Sequence, residues 1–138
     1  MDFSGINIWE LIAASLSTFV VGFLWYGNFL FGKSWQKLAG LSDEDIAKGN
    51  MAIIYGLTFV LNFVAALFIS FFTEIAMMLG SSAFLAGLFA VILCLGFVAT
   101  SFGVNFLFSR KPLKLYFIDV GYMAVSYFVM GIIIGAWR

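Results

Sequence analysis

The chain has 138 residues, of which 64% are hydrophobic and 10% are charged, and its formal net charge is zero. A soluble domain of this size carries roughly a quarter charged residues, because it needs a solvated surface. This composition therefore excludes an ordinary soluble domain, and seven scattered basic residues form no nucleic-acid footprint. Lipid, which favours apolar side chains on the protein surface, is the solvent that the composition fits.

The apolar segments predict an all-α polytopic membrane protein, a bundle of four transmembrane helices in a single domain, 1–138. About 20 helical residues cross the hydrocarbon core of a bilayer. The uncharged run between Glu74 and Arg110 has 35 residues, too many for one crossing, and the Gly80-Ser81-Ser82 cluster marks a loop inside it. The predicted spans are 8–30, 51–73, 83–108 and 113–137. The first span lacks the basic leader and cleavage site of a signal peptide, so we expect it to be retained.

The segment 31–50 is the long polar connection, and it is predicted to lie in the cytoplasm. Ser42 followed three residues later by Asp45 is typical of a helix N-cap. Trp35, flanked by Lys33 and Lys37, has the composition of an interfacial anchor.

The basic residues predict the orientation of the bundle. The connections after the first and third spans lie on one side, whereas Arg138 lies on the other. The positive-inside rule then places both termini outside the cytoplasm, in an inner or plasma membrane. The basic residues on the predicted cytoplasmic side are Lys33, Lys37, Lys48, Arg110, Lys111 and Lys114.

Each span carries a stripe of small and polar residues when it is projected at 100° per residue. These stripes should converge, because lipid offers no hydrogen-bond partner to a hydroxyl or an amide. They predict either a polar pathway between helices or close packing with interhelical hydrogen bonds. The members are Ser15, Thr18, Gly22, Trp25 and Tyr26 in the first span; Tyr55, Thr58, Asn62, Ala66 and Thr73 in the second; Gly87, Ala90, Cys94, Ser101 and Asn105 in the third; and Asp119, Tyr122 and Ser126 in the fourth.

The fourth span also carries a small-residue face on the opposite side. Gly131 and Gly135 form the small-x-x-x-small pattern that lets two helices approach closely. One four-helix unit can bury only some of these faces, so the pattern predicts a homodimer held through Gly131 and Gly135.

Asp119 is the charged residue that points most directly to function. A carboxylate inside a span costs several kcal/mol unless it is compensated, so it defaults to a functional candidate. A polar pocket is expected around it, with the candidate ligand residues Asn105, Tyr122, Trp25, Tyr26 and Asn62. The alternatives are that Arg110, Lys111 or Lys114 pairs with Asp119 structurally, and that Asn62 makes only a packing hydrogen bond. Glu10 and Glu74, at helix ends on the far side, are interpreted as interfacial.

The sequence offers little for catalysis. It contains no His, the single Cys94 lies in an apolar run, and Asp119 lacks a second carboxylate at its depth. We therefore expect no enzyme, no cofactor and no metal.

With these residues in view, the chain resembles the domain-of-unknown-function family 1761, small four-helix membrane proteins. The matching stretches are GFLWYGNFLFGKSW (22–35), LGF (95–97), NFLFSRKPLKLYFIDVGY (105–122) and MGIIIGAW (130–137). The resemblance implies a fold and a location in the membrane, and it implies no activity.

Two functional hypotheses follow. The first is a dimeric module that binds or transports a small molecule or ion through the pocket around Asp119. The second is an accessory or structural membrane protein that acts through helix–helix contacts. The first predicts a solvent-reachable cavity at Asp119, whereas the second predicts a dry, filled bundle.

Overall fold

The computed structural model describes residues 5–138, and it confirms the predicted all-α class. Four of its helices are long and apolar enough to cross a membrane, which makes the chain a membrane protein. Two short helices, α2 and α3, lie between the first and second of them. The helices are α1 (Ile8–Trp25), α2 (Gly32–Ala39), α3 (Asp43–Ala47), α4 (Met51–Met78), α5 (Ala83–Phe108) and α6 (Leu113–Ala136).

Helix α1 ends at Trp25, five residues before the end of the predicted span, because the chain turns sharply there. The Phe31 amide donates to the Trp25 carbonyl at 3.0 Å, and the Gly32 amide donates to the Gly27 carbonyl at 3.1 Å. A Cβ on Gly32 would collide with the carbonyl oxygens of Tyr26 and Gly27, so only glycine fits this position. The turn leads directly into α2 and brings Trp35 back against Tyr26, with ring centroids 5.6 Å apart.

Helix α6 lies at the centre of the bundle and packs against α1, α4 and α5. Its buried residues Met130 and Ile134 meet Leu11 and Ala14 of α1 and Ile69 of α4 in the core. The outward faces carry exposed Phe, Leu, Ile and Val side chains along all four long helices. This arrangement is compatible with lipid hydrocarbon around the bundle, because lipid does not require a polar protein surface.

A π-helical turn, Cys94–Ala99, interrupts α5 and changes which face of the helix meets α6. One extra residue in a turn rotates everything after it by about 100° relative to a continuous α-helix. The buried face therefore runs through Cys94 to Ala99 and Phe106, while Ser101 and Asn105 turn outward. The prediction of one continuous stripe from Gly87 to Asn105 is wrong, since it assumed an uninterrupted α-helix.

Gly131 and Gly135 are buried against α5 of the same chain. A Cβ on Gly131 would lie 2.7 Å from the Ala86 carbonyl oxygen, and one on Gly135 would lie 2.9 Å from the Ala83 Cα. The pattern correctly indicated a close helix approach, but the approach occurs within one chain. The prediction that these glycines form the interface of a homodimer is therefore corrected, because no face remains there for a second copy.

Candidate functional site

Asp119 lies among aromatic side chains where α6 meets the end of α1. Its carboxylate accepts a hydrogen bond from the Tyr26 hydroxyl at 2.8 Å. The Tyr26 ring contacts Tyr122, with centroids 5.2 Å apart, and the Trp25 indole donates to the Ile118 carbonyl at 2.9 Å. The two residues that end α1 thus hold the segment of α6 that carries the carboxylate. Four of the predicted site residues, Asp119, Tyr122, Trp25 and Tyr26, are brought together.

Gly121 explains how Trp25 fits so closely against α6. A Cβ at this position would lie 2.7 Å from the Trp25 ring. At Gly22 of α1 a Cβ would lie 3.4 Å from the Tyr122 ring, which is an ordinary contact, so this position does not require glycine. Gly121 is thus the position that makes room for a ring beside the Asp119 segment.

The basic residues of the neighbouring loop leave Asp119 without an ion pair. Over residues 5–138, the ion pairs within 4.0 Å are those that Arg138 makes with Glu10 and Glu74. The Lys111 ammonium instead lies over the Phe106 ring, 5.2 Å from its centroid. Structural pairing of Asp119 with Arg110, Lys111 or Lys114 is therefore not what this structure shows.

Asn105 and Asn62 both lie apart from the Asp119 site. Asn105 is exposed on the outer face of α5, and its side-chain oxygen accepts a hydrogen bond from the Ser109 hydroxyl at 3.4 Å. Including Asn105 in the pocket is therefore wrong, because the π-helical turn Cys94–Ala99 turns this face of α5 outward. Asn62 donates to the Thr18 hydroxyl at 2.8 Å, so it makes the packing hydrogen bond of the alternative interpretation.

The polar stripes of α1, α4 and α6 do converge, whereas that of α5 does not. Thr18 is the meeting point: it accepts from Asn62 of α4 and, through its carbonyl, from the Tyr122 hydroxyl at 3.2 Å. Ser126, one turn further along α6, is buried, and its hydroxyl has no partner within the described residues. Polar groups thus follow the α1–α4–α6 interface inward from Asp119.

At the far end of this interface lies a group of charged residues that the sequence-based interpretation missed. Glu10 accepts hydrogen bonds from Arg138 at 2.9 Å and from the Ser70 hydroxyl at 2.7 Å. Glu74 lies 3.8 Å from the same guanidinium. We call Glu10, Ser70, Glu74 and Arg138 the Arg138 cluster. Glu10 is 1% exposed, so it is buried within the bundle, at the helix end far from Asp119 where the sequence analysis expects it.

One signal in the sequence pointed to this cluster. Glu10 is the lone charged residue of α1 and Glu74 is that of α4, and a charge inside an apolar helix is costly unless it has a partner. Arg138 is the basic residue that remains at that end of the bundle.

Asp119 lines neither of two concavities on the surface of the described residues, so neither is the cavity expected at Asp119 for a binding or transport module. One, of about 450 Å³, lies at α2 and is lined by Asn28, Lys33, Gln36, Lys37, Leu41 and Asp43. The other, of about 520 Å³, lies on the outer face of α5 and is lined by Phe97, Val98, Ser101, Phe102 and Asn105.

The fold and the Asp119 site define a small helical membrane protein with a half-buried carboxylate on one of its spanning helices. Over residues 9–135 the chain matches the family described as protein of unknown function, DUF1761, and it belongs to that family. No curated protein and no solved structure matches the chain.

Proposed function

We propose that the protein binds a small organic cation in the cytoplasmic half of the bilayer, with Asp119 as the countercharge. The observation that carries this proposal is the hydrogen bond between Asp119 and Tyr26, which is 2.8 Å long. Tyr26 is a neutral donor, so it orients the carboxylate without cancelling its charge. A carboxylate inside a span is expensive unless a cation compensates it. A positively charged ligand supplies that compensation.

The aromatic side chains around Asp119 favour an organic ammonium ion over a hydrated metal ion. The faces of Tyr and Trp rings attract cations, most strongly when the site excludes water. The rings of Tyr26, Tyr122 and Trp35 lie together beside Asp119, with centroid separations of 5.2 Å and 5.6 Å from Tyr26. Over the described residues, no group of three or more metal-ligating side chains accompanies them. Transport of such a cation across the membrane would be an extension of the same binding step.

The proposal is tested with the full chain in lipid nanodiscs and benzyltrimethylammonium as the probe. Trp25 and Trp35 lie at the site, so tryptophan fluorescence together with calorimetry reports binding. Asp119→Asn keeps the shape and removes the charge, and we expect it to weaken binding about tenfold or more, equivalent to about 1.4 kcal/mol. Asp45→Asn, a matched change in the exposed loop helix, should bind like the unaltered protein. Absence of saturable binding to the unaltered protein would overturn the proposal.

The second candidate is an accessory membrane protein that acts through helix–helix contacts. It is favoured by the hydrogen bond between Asn62 and Thr18, which uses the central polar groups for packing. Such a protein would bind no cation and would tolerate Asp119→Asn without loss of function.

Self-association is also proposed, but through a different face from the glycines of α6. Asn105 carries both a donor and an acceptor on the outer face of α5, so two copies related by a twofold axis can pair through it. The mass of the protein–detergent complex tests this point. Asn105→Leu should shift a dimer to a monomer, and a monomeric unaltered protein would contradict the proposal.

The orientation proposed from the basic residues places both termini outside the cytoplasm of an inner or plasma membrane. A Cys94→Ala background removes the single cysteine, which is buried. In that background we expect Trp137→Cys to react with an impermeant maleimide on intact cells and Ser109→Cys to remain unlabelled. The reverse pattern would contradict the orientation.

A further inference from the structure

The concavity at α2 lies at the end of the bundle where α1 stops and the chain turns. Its volume of about 450 Å³ falls within the roughly 300–1,000 Å³ of ordinary small-molecule sites. Polar side chains from the turn, from α2 and from the first residue of α3 form its wall, together with one leucine: Asn28, Lys33, Gln36, Lys37, Leu41 and Asp43. None of these residues belongs to the Asp119 site or to the Arg138 cluster.

The lining of this concavity is positively charged. Lys33 and Lys37 are four residues apart on α2, so they lie on the same face of the helix, and both are exposed. Within residues 5–138 neither ammonium group has a carboxylate within 4.0 Å. The single acid of the lining, Asp43, accepts a hydrogen bond from the Gln36 amide at 2.8 Å. Two cations against one anion make the concavity suitable for an anionic ligand.

The chain before Gly5, which includes Asp2, is too short to bring a carboxylate to these lysines. Gly5 lies beside Glu74 and Arg138, at the opposite end of α1. Helix α1 has 18 residues and is therefore about 27 Å long, whereas four residues span at most about 14 Å. The positive charge of the concavity therefore remains available to a ligand.

Exposed apolar side chains border the concavity and indicate that the anionic ligand is a lipid. Phe29, Leu30 and Phe31 are exposed in the turn between α1 and α2, directly after the end of a spanning helix. Because such side chains are costly in water, they lie against the acyl chains beneath the headgroups. On the opposite face of α2, Trp35 packs against Tyr26 and holds the helix where the span ends. The two lysines on the outer face of α2 then lie at the depth of the lipid phosphates.

We propose that the concavity at α2 binds an anionic phospholipid with a hydroxylated headgroup, such as phosphatidylglycerol. Lys33 and Lys37 contact the phosphate, to which ammonium groups bind as point charges. Asp43 accepts hydrogen bonds from the headgroup hydroxyls, since Gln36 donates to only one of its two oxygens, Oδ1. Phosphatidylcholine gains less from this lining, because its own ammonium group cancels the charge of the phosphate. The lipid site does not rest on cation binding at Asp119.

Native mass spectrometry of the full chain, released from micelles that contain phosphatidylglycerol and phosphatidylcholine, tests the proposal by measuring the retained lipid. We expect phosphatidylglycerol to bind about tenfold more tightly than phosphatidylcholine. The double variant Lys33→Gln with Lys37→Gln should lose this preference. Lys48→Gln with Lys114→Gln removes the same charge from exposed positions outside the concavity and should keep it. Equal loss in the two double variants, or no preference in the unaltered protein, would overturn the proposal.

Further measurements in the same assay identify the headgroup and the source of the phosphate. Phosphatidylmethanol has the charge of phosphatidylglycerol but no hydroxyl, so it should bind a few-fold more weakly, and Asp43→Ala should remove that difference. Equal binding of the two lipids by the unaltered protein would overturn the role of Asp43. Inorganic phosphate that binds as tightly as the lipid would show that the site takes a free anion, and would overturn the lipid assignment.

Asp119→Asn separates this proposal from cation binding. The variant should retain phosphatidylglycerol with unaltered affinity even where it no longer binds benzyltrimethylammonium, because Asp119 does not line the concavity. Loss of the lipid preference in Asp119→Asn would overturn the assignment of the lipid to the concavity at α2.

Discussion

The two ends of α6 hold carboxylates in the bundle by different means. At one end Asp119 receives a hydrogen bond from the neutral Tyr26 hydroxyl and is surrounded by rings. At the other end Glu10 is buried against the charged Arg138 and the Ser70 hydroxyl. The first arrangement orients the Asp119 carboxylate and leaves its charge available to a ligand. In the second, the charge of Glu10 pairs with Arg138 and links three helices. The hydrogen-bond donors around a carboxylate thus indicate its role better than its position in the span does.

The largest expected effect comes from removing the cation at the Arg138 end. Arg138→Met leaves two carboxylates with no guanidinium, and breaking a buried pair in this way costs about 3–5 kcal/mol. We expect that loss in the free energy of unfolding, measured by SDS titration in mixed micelles near neutral pH. Arg110→Met, at an exposed loop position, should change it by less than about 0.5 kcal/mol. Equal effects of Arg138→Met and Arg110→Met would show that Arg138 makes no stabilising buried ion pair.

A smaller effect is expected from the interface that lies between the two ends. Gly131→Leu forces a side chain into the Ala86 carbonyl and the Gly87 Cα, and overpacking of this type costs about 1–3 kcal/mol. Because α6 carries Asp119, displacing α6 should weaken cation binding at Asp119 as well as stability. Gly56→Leu on the open face of α4, where nothing lies within 4 Å, is the matched control. A variant with unaltered stability would contradict the close approach of α5 and α6.

Removing the neutral donor at the Asp119 end should cost less than removing the cation at the other end. Tyr26→Phe deletes the hydroxyl that donates to Asp119, and loss of a hydrogen bond to a charged group costs roughly 1.5–3 kcal/mol. The same SDS titration measures this loss. Tyr55→Phe, at an exposed position of α4, should be neutral. If Tyr26→Phe costs as much as Arg138→Met, the hydroxyl does more than orient the carboxylate.

The smallest effect is expected outside the bundle, in the connection that carries α2 and α3. Ser42 and Asp45 form a capping box at the start of α3, and these hydrogen bonds lower the pKa of Asp45 below its ordinary value of 3.8. Because the folded pKa is the lower one, the carboxylate stabilises α3 at pH values above 3.8 and loses that contribution as the pH falls through the folded pKa.

Amide hydrogen exchange of α3 measures this local stability. We expect Ser42→Ala to speed exchange in α3 at neutral pH and to leave both ends of α6 unchanged. Faster exchange at Asp119 or at the Arg138 cluster in this variant would show that the connection is coupled to the bundle.

Much of the architecture follows from the order of residues alone. Four apolar runs determine four helices, because every backbone amide in hydrocarbon must be satisfied within its own helix. Trp25, Tyr26, Asp119 and Tyr122 come together as predicted, since they lie near the same ends of two antiparallel helices. Thr18 and Asn62 meet because a mid-span amide and hydroxyl have few other partners.

Three features required the tertiary structure. The π-turn at Cys94–Ala99 turned Asn105 outward, and no helical projection with a constant angle can represent an inserted residue. The pattern of Gly131 and Gly135 predicts that a helix approaches closely, but it does not identify that helix as α5 of the same chain. Glu10, Glu74 and Arg138 are separated by more than 60 residues along the chain at their nearest, and only the packing of α1, α4 and α6 brings their charges within reach of one another. Local sequence determines which residues form a helix, while long-range packing decides which face of that helix is buried and which charges become partners.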